Sequence, residues 1–246
     1  MAAKTQGIST VWSRPQRQRR ETPALSRDLI VAEAIELLDT EGLDALSMRR
    51  LGTKLNAGAT SLYTHVANKE ELIELAVDKV LGDVPIPDPD PQNWRDTVLI
   101  GLHGVRETIL RHPWMTVVMS TSALNMLGPN MMRLSESMLE ILESAGFDDD
   151  TVDLAANALF SHAVGTAGSE ATILMTAARS GLSEQEWVDQ FMAAAEEAAR
   201  PYPRMHKRHV EYRGRDSAQF RDEAFDREIG LIMDGLELRL RTAEKR

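Results

Sequence analysis

The stretch "SMRRLGTKLNAGATSLYTHVANKEEL", residues 47–72, decides how the first part of the chain folds. Ser47 begins a short helical pattern that ends near Leu55, and a second short pattern covers about residues 59–66. The gap between the two patterns contains Gly58, which can adopt the positive φ that lets one helix cross another steeply. Two short helices joined in this way predict a helix-turn-helix unit.

A longer helix precedes this unit. Ile30, Ala34 and Leu38 recur at a spacing of four residues, which places them on one helical face. Ser26 precedes the pattern as a candidate N-cap, and Gly42 follows its last turn, where a left-handed residue ends a helix. The sequence therefore predicts a helix whose apolar face packs on the helix-turn-helix.

The chain continues into a fourth helix and then into a stretch rich in proline. Asn68 and Glu71 have the spacing of a capping box, so a helix is predicted from residue 69 onward. Four prolines lie from Pro85 to Pro91, a density that ends a helix and stiffens a linker. The later helical patterns cover about residues 93–111, 129–145, 150–178, 184–199 and 218–241, with a shorter one after Trp114.

These patterns predict an all-α fold in three parts. Residues 1–22 are polar, basic and without periodicity, and they are predicted to form a flexible N-terminal arm. Residues 23–82 are predicted to form a three-helix helix-turn-helix domain with its connecting helix. Residues 92–246 are predicted to form a larger helical bundle, and a chain of 246 residues is long enough for both domains.

Polar side chains cluster on the second helix of the helix-turn-helix. Leu62 and Val66 are predicted to face the preceding helices, which leaves the other positions turned outward. Hydroxyl groups suit phosphates and base edges, a phenol ring packs against a sugar or a thymine methyl, and an imidazole reaches phosphate. The DNA contacts predicted on this helix are Thr60, Ser61, Tyr63, Thr64 and His65. The alternative is that the two rings only cap a small helical core.

The basic residues favour the same end of the chain. Arg49 lies in the first turn of the preceding helix, and Lys69 begins the next one, where its charge and the free backbone N–H groups meet a phosphate together. The formal charge is +2 over residues 1–66 and −12 over the rest. An acidic body with a positively biased end fits an anionic partner that is met at one end only. The arm residues predicted to reach phosphates or a minor groove are Arg17, Arg19 and Arg20, and a solvated tail is the alternative.

The segment "AIELLDTEGLDALSMRRLGTKLNAGATSLYTHVANKEELIELAVD", residues 34–78, resembles the DNA-binding domain of TetR-type transcriptional repressors. Its most specific part is "SLYTHVANKEEL", which is similar to the family's Leu-Tyr-x-His followed by Asn-Lys. Asn56 stands where the family often has glycine. The resemblance implies double-stranded operator DNA as partner, and it places Arg49, Thr60, Ser61, Tyr63, His65 and Lys69 at DNA-contacting positions.

The body resembles the tetracycline-repressor-like branch of that family through Trp94 and through "FDREIGLIMDGLELRL" near the end. The resemblance implies a homodimer built by the small-residue-rich helix at 150–178 and the last helix, whereas ordinary intrachain packing is the alternative. Pro85, Gly101 and Met119 occupy places where the family binds tetracycline through polar residues, so tetracycline is not the expected ligand.

A small-molecule pocket is predicted between the middle helices of the body. Methionines adapt to irregular apolar ligands, and a few polar groups orient such ligands. The candidate lining residues are His103, Trp114, Met115, Met119, Met132, Asn157, Phe160 and His162, with Leu134 beside them. For each methionine and histidine of this set, a place in the core is the alternative.

The composition argues against several other classes. The chain has no cysteine, so disulfides and thiolate metal sites are excluded. The first 25 residues lack the apolar core of a secretory signal, and no run of about 18 apolar residues predicts a membrane span. His206 and His209 have a spacing that fits a shared metal, but the basic residues around them favour a solvated surface.

We therefore predict a cytoplasmic, ligand-responsive DNA-binding regulator, most simply a repressor, without cofactor or metal. The alternatives are a helical-bundle enzyme and a non-inducible architectural DNA-binding protein.

Overall fold

The computed structural model describes residues 25–121 and 127–243, and within them the chain forms α-helices without strands. The arm at residues 1–22, with Arg17, Arg19 and Arg20, lies outside the described residues. The helices are α1 (Arg27–Glu41), α2 (Met48–Lys54), α3 (Ala59–His65), α4 (Lys69–Leu81), α5 (Trp94–Arg111), α6 (Met115–Thr121), α7 (Pro129–Ser144), α8 (Asp149–Ser180), α9 (Glu184–Ala198), α10 (Pro203–Tyr212) and α11 (Ser217–Ala243). The predicted fold class, a helix-turn-helix domain followed by a larger helical body, is confirmed.

Side-chain caps begin three of the first four helices, as the sequence predicts. The side chains of Ser26, Ser47 and Asn68 accept hydrogen bonds from backbone N–H groups at distances of 3.1, 3.2 and 2.7 Å. Each cap satisfies a donor that has no partner inside the helix. Gly42 ends α1 with φ 82°, and its N–H donates to the carbonyl of Leu38. These local signals fix the helix boundaries because they depend on residues only a few positions apart.

One apolar core joins the N-terminal domain to the body. Ile30, Leu51, Leu62 and Leu72 are fully buried, and Met115 belongs to the same cluster from the other domain. The body residues that share this cluster are Val105, Ile109, Trp114, Met115, Val118, Met131 and Ala167. The N-terminal domain therefore shares a core with α5, α6, α7 and α8, and α4 contacts α5 and α7 directly.

A second core lies inside the body, between α5, α7, α8 and α11. Phe225, Ile229 and Met233 of α11 are buried in it, as are Ala155 and Ala163 of α8. The small residues of α8 and the apolar stripe of α11 thus serve intrachain packing to a large extent. A dimer interface on these helices must use their other faces.

The sequence prediction misses α10. This helix has no buried residue and contains few apolar residues among many charges, so it lacks the apolar content by which the other helices are recognised. It forms a hairpin with α9, which also has no buried residue.

A network of charges centred on the buried pair of Arg106 and Glu170 ties this hairpin to the body. Arg106 of α5 donates to both carboxylate oxygens of Glu170, at 2.7 and 2.9 Å, and to Asp222 at 2.7 Å. Arg221 donates to Glu170 at 2.9 Å and to Glu184 at the start of α9. Burial by itself lowers the pKa of Arg106, but the hydrogen bonds to Glu170 and Asp222 outweigh it and raise the pKa above its ordinary value. The ion pairs of this network hold α5, α8, α9 and α11 together.

Across the described ranges, none of the helices combines the length and apolar character that a membrane span requires.

Candidate DNA-binding surface and ligand cavity

Helix α3 is anchored by its apolar residues and turns its polar ones outward. Leu62 and the residue that follows the helix, Val66, are fully buried, whereas half of Tyr63 is exposed. Thr60, Ser61 and Thr64 are exposed, and His65 is half-buried. The five residues predicted to contact DNA therefore share one accessible side of a short helix.

The turn before α3 differs from the sequence expectation. Asn56, not Gly58, has the left-handed backbone, with φ 49°. Gly58 is the N-cap of α3 with an ordinary φ of −63°, and a Cβ added to it would meet nothing within 4 Å. The prediction that Gly58 supplies a positive φ is wrong. Asparagine tolerates this conformation better than most residues, because its short polar side chain bonds locally.

The basic residues near α3 differ in whether their side chains already have hydrogen-bond partners. Arg49 is exposed in α2, and its guanidinium has no partner among the described residues. The Lys69 ammonium donates to the carbonyl of Leu43 at 3.2 Å, so one of its three donors already holds the turn after α1. Arg27, which the sequence analysis did not select, donates to the carbonyl of His65 at 3.4 Å. Only the packing of α1 against α3 reveals that contact.

A cavity of about 560 Å³ lies between α5, α7 and α8. Met119, Met131, Leu134, Met138 and Phe160 give it a largely apolar wall. The hydroxyl and amide side chains that line it are Thr97, Ser135, Ser137, Asn157 and Ser161. The volume lies in the range of ordinary small-molecule sites, and a few polar groups in an apolar wall are what such sites use to orient a ligand.

The structure brings part of the predicted pocket set together. Met119, Asn157 and Phe160 line the cavity, and so does Leu134. Trp114 and Met115 do not, because both are buried in the core shared with the N-terminal domain. Met132 is 47% exposed, and its neighbour Met131 lines the cavity instead. One residue along a helix is a rotation of about 100°, enough to turn a side chain from the cavity to the solvent.

The two histidines of the predicted set also lie away from the cavity. His103 of α5 pairs with Asp226 at 2.7 Å, and His162 of α8 pairs with Glu228 at 3.0 Å. Both carboxylates belong to α11, so the histidines tie that helix to its neighbours. The carboxylates are more than a hundred and more than sixty residues away in sequence, which is why no local pattern predicts the pairs.

The proline-rich segment forms a part of the cavity wall, and one of its residues, Pro85, is at a place that the family resemblance linked to the ligand. Pro85, Ile86 and Pro87 line the cavity. A Cβ added to Gly104 of α5 would lie 2.4 Å from a ring carbon of Pro85, so glycine lets the segment lie against this helix. Proline density predicts only a linker, and the sequence did not single out Ile86 and Pro87 as part of the cavity wall.

Within the described ranges, His, Asp and Glu side chains nowhere gather in groups of three that could hold a metal ion. His206 and His209 lie on the exposed helix α10.

The sequence matches two family profiles. Residues 30–76 match the one described as bacterial regulatory proteins, tetR family, and residues 86–240 match the tetracyclin repressor-like C-terminal domain.

Relatives and solved structures agree with these matches. An HTH-type transcriptional regulator of Saccharopolyspora erythraea is 40% identical over 160 residues, which is 65% of this chain and 67% of the relative. The HTH-type transcriptional repressor DrrR1 of Streptomyces coeruleorubidus is 30% identical over 73% of this chain and 67% of its own length. The structure of ActR from Streptomyces coelicolor in complex with actinorhodin superposes with a TM-score of 0.74 at 30% identity, covering 87% of this chain and 96% of that one.

Proposed function

The chain belongs to the TetR family of bacterial transcriptional regulators, and from that premise we propose that it binds operator DNA as a homodimer and is released when a small molecule fills the α5/α7/α8 cavity. It is a DNA-binding regulator rather than an enzyme. Because it acts on bacterial DNA, the proposal includes a location in the cytoplasm.

The observation that carries the proposal is the accessible side of α3. Tyr63 is half exposed beside the buried Leu62, and three hydroxyl residues are exposed around it. In this proposal α3 is held in place by the buried Leu62 and enters a major groove. Its polar groups read base edges there through hydrogen bonds and contacts with methyl groups. Arg49 of α2 and Lys69 at the start of α4 supply phosphate contacts. The arm residues Arg17, Arg19 and Arg20 remain predicted contacts.

An electrophoretic mobility shift assay tests this part of the proposal. The probe is a duplex that carries the DNA flanking the protein's own gene, and the competitor is unrelated duplex. We expect a specific shift that survives an excess of competitor. If unrelated duplex removes the shift at the same concentration as unlabelled probe does, the binding is non-specific and electrostatic.

The proposed dimer uses the outer faces of α8 and α11. Leu154 of α8 is 64% exposed, and Leu231 and Leu238 of α11 are 73% and 64% exposed. α8 and α11 pack against each other within the chain, so these exposed leucines belong to neighbouring helices. A second copy would remove them from water, and a two-fold interface would place one α3 from each chain on a palindromic site.

The proposed effector is largely apolar with one or two hydrogen-bonding ends. The apolar side chains of the cavity favour burial of a hydrophobic skeleton, and Asn157 and Ser161 lie together on one wall with their side chains 3.0 Å apart. The related ActR has been solved with actinorhodin, so that compound is a suitable first probe. A ligand at about 100 times its dissociation constant raises the free energy of unfolding by about 2.7 kcal/mol.

A thermal-shift screen that includes actinorhodin and drug-like compounds tests the effector, followed by DNA-release assays on the hits. Compounds that stabilise the protein but leave its DNA affinity unchanged would contradict induction, because a ligand that binds both conformations equally shifts neither.

A further inference from the structure

A buried carboxylate of the connecting helix caps a helix of the cavity wall. Asp78 of α4 is only 5% exposed. Its Oδ1 accepts from the backbone N–H of Asn130 at 2.8 Å, and its Oδ2 accepts from the side-chain amide of Asn130 at 2.9 Å. The same amide also donates to the backbone carbonyl of Asp78 at 3.0 Å. Asp78, a residue of the N-terminal domain, thus accepts a hydrogen bond from a backbone donor in the first turn of α7, which belongs to the body.

The fit around this carboxylate is close. A Cβ added to Gly128, the N-cap of α7, would lie 2.2 Å from Oδ1 of Asp78. The φ of Gly128 is −71°, which any residue adopts. Glycine is therefore required here for space and not for backbone conformation, and the space is occupied by Asp78.

The helix that Asp78 caps is also a wall of the cavity. Met131, Leu134, Ser135 and Met138 line the cavity from α7, and Met131 comes directly after the capped Asn130. Near the other end of the contact, Arg133 donates to the carbonyls of Leu81 and Gly82 at 3.3 Å each, where α4 ends. The first turn of α7 is therefore bound to α4 on one side and faces the cavity on the other.

A second carboxylate links the domains without touching the cavity. Asp39 of α1 accepts from Trp114 Nε1 at 2.7 Å and pairs with His112 Nδ1 at 2.8 Å. Neither His112 nor Trp114 lines the cavity. Asp39 is consequently a matched comparison for Asp78: both bridge the same two domains, and only one bridges to the cavity wall.

We propose that Asp78 is the positioning residue through which the occupant of the cavity acts on the DNA-binding domain; the proposal rests on the function proposed above. A molecule that presses on Met131 or Leu134 displaces the start of α7. The cap then either carries α4 along or leaves a buried carboxylate and helix N–H groups unpaired, which is unfavourable. Because α4 packs under α1 in the same core as α3, a shift of α4 reorients the recognition helix.

The experiment uses a built-in occupant, so it needs no identified ligand. Ser161→Trp adds an indole at a residue of α8 that lines the cavity. The chain has no cysteine, so Thr53→Cys and Asp153→Cys, both at exposed positions, carry spin labels in the two domains. Labelled protein is mixed with excess unlabelled protein, and the distance between the labels is measured by pulsed electron paramagnetic resonance. Affinity for the DNA flanking the gene is measured in parallel.

We expect Ser161→Trp to shift the mean label distance by about 1–2 Å, the size of helix displacements at packed interfaces, and to weaken DNA binding by about 5- to 150-fold. Adding Asp39→Ala should preserve both effects. Adding Asp78→Ala should abolish both effects. Adding Gly128→Ala should abolish them too, because the new Cβ displaces the carboxylate while Asp78 stays in the chain. Gly128→Ala therefore tests the role of the cap if Asp78→Ala does not fold.

Equal shifts in the Asp78→Ala and Asp39→Ala backgrounds would overturn the proposal. A distance that Ser161→Trp does not change in the otherwise unaltered protein would overturn it as well, since the occupied cavity would then fail to reach the DNA-binding domain. Failure of the proposed function is visible separately: a protein without the tryptophan that binds no specific DNA is not an operator-binding repressor, whereas the distance measurement still decides the coupling.

Discussion

At the scale of single residues, alternation between burial and exposure gives α3 two roles. Leu62 is fully buried and Tyr63, the next residue, is half exposed. The first residue holds the helix in the core, and the second is available to DNA. Substitutions at neighbouring positions should therefore separate loss of folding from loss of binding.

We expect Tyr63→Ala to weaken specific DNA binding by about 1–3 kcal/mol and to change the free energy of unfolding by less than about 0.5 kcal/mol, as surface substitutions do. Leu62→Ala is the matched control and should lower the free energy of unfolding by about 2–5 kcal/mol. Fluorescence anisotropy with labelled duplex and urea denaturation followed by circular dichroism measure the two quantities. A large loss of stability in Tyr63→Ala would make the ring structural.

Lys69 offers a choice between phosphate binding and a structural role. Its ammonium already donates to the carbonyl of Leu43. If its remaining donors bind a phosphate, Lys69→Ala should weaken binding to all sequences alike and reduce the slope of log affinity against log salt by about 0.9. A salt titration of specific and unrelated duplexes checks this. An unchanged slope with a lower melting temperature would assign Lys69 to the turn at Leu43 alone.

Glu170 shows how burial changes the weight of an ion pair. The carboxylate is 6% exposed and accepts from both Arg106 and Arg221. Glu170→Gln should lower the free energy of unfolding by about 3–5 kcal/mol, because two arginines lose the charge that compensates for their burial. Asp234→Asn is the control: Asp234 is 66% exposed in its pair with Arg95, and its loss should cost less than about 1 kcal/mol. Urea denaturation at one fixed protein concentration compares the two variants, and equal losses would argue against the burial effect.

At the scale of elements, the turn between α2 and α3 depends on one residue with a left-handed backbone. Asn56 has φ 49°, while Gly58, the residue that a sequence analysis selects, has an ordinary φ. The turn nevertheless joins the two helices as predicted, because any residue of the gap that tolerates the left-handed region produces the reversal.

We expect Asn56→Ala to destabilise the protein by about 1–2 kcal/mol, because a Cβ without a local hydrogen bond disfavours this conformation. Gly58→Ala should change stability by less than about 0.5 kcal/mol, since its backbone suits alanine and the loss of a glycine N-cap is offset by the reduced freedom of the unfolded chain. Thermal melts of the two variants provide the comparison. A larger loss of stability in Gly58→Ala than in Asn56→Ala would indicate that Gly58, not Asn56, has the left-handed backbone.

At the scale of the whole molecule, the proposed homodimer would need its two α3 helices to reach the same side of one duplex. The exposed leucines of α8 and α11 offer a surface for a second copy, and in the proposed homodimer a two-fold axis would relate the two α3 helices. Successive major grooves on one side of B-DNA are separated by one helical turn. The proposed dimer therefore requires a fixed distance between the two half-sites on the DNA.

Inserting half a helical turn, about 5 base pairs, between the half-sites should abolish simultaneous engagement by the two α3 helices. The affinity should fall toward that of a single half-site, and inserting a full turn should restore it in part. Anisotropy titrations with the three duplexes measure the effect. Equal affinity for all three would exclude binding of both half-sites by one dimer.

The amino-acid sequence by itself determined the local structure and which side of α3 is accessible. The caps at Ser26, Ser47 and Asn68, the stop at Gly42 and the separation of Leu62 from Tyr63 follow from residues within one or two turns of each other. Such features need no knowledge of the rest of the chain, because helix capping and helical periodicity act over three or four residues. The all-α fold class and the family follow from the same signals.

Only the tertiary structure decided the composition of the cavity and the links between domains. Met119, Asn157 and Phe160 reach the cavity, while Trp114 and Met115 fill a core, because the phase of each helix is set by its neighbours in space. The contacts of Asp78 with Asn130 and of Asp39 with Trp114 join residues 52 and 75 positions apart. No periodic pattern encodes such pairs, since they arise when separately formed helices exclude water from a common core and the remaining polar groups must find partners there.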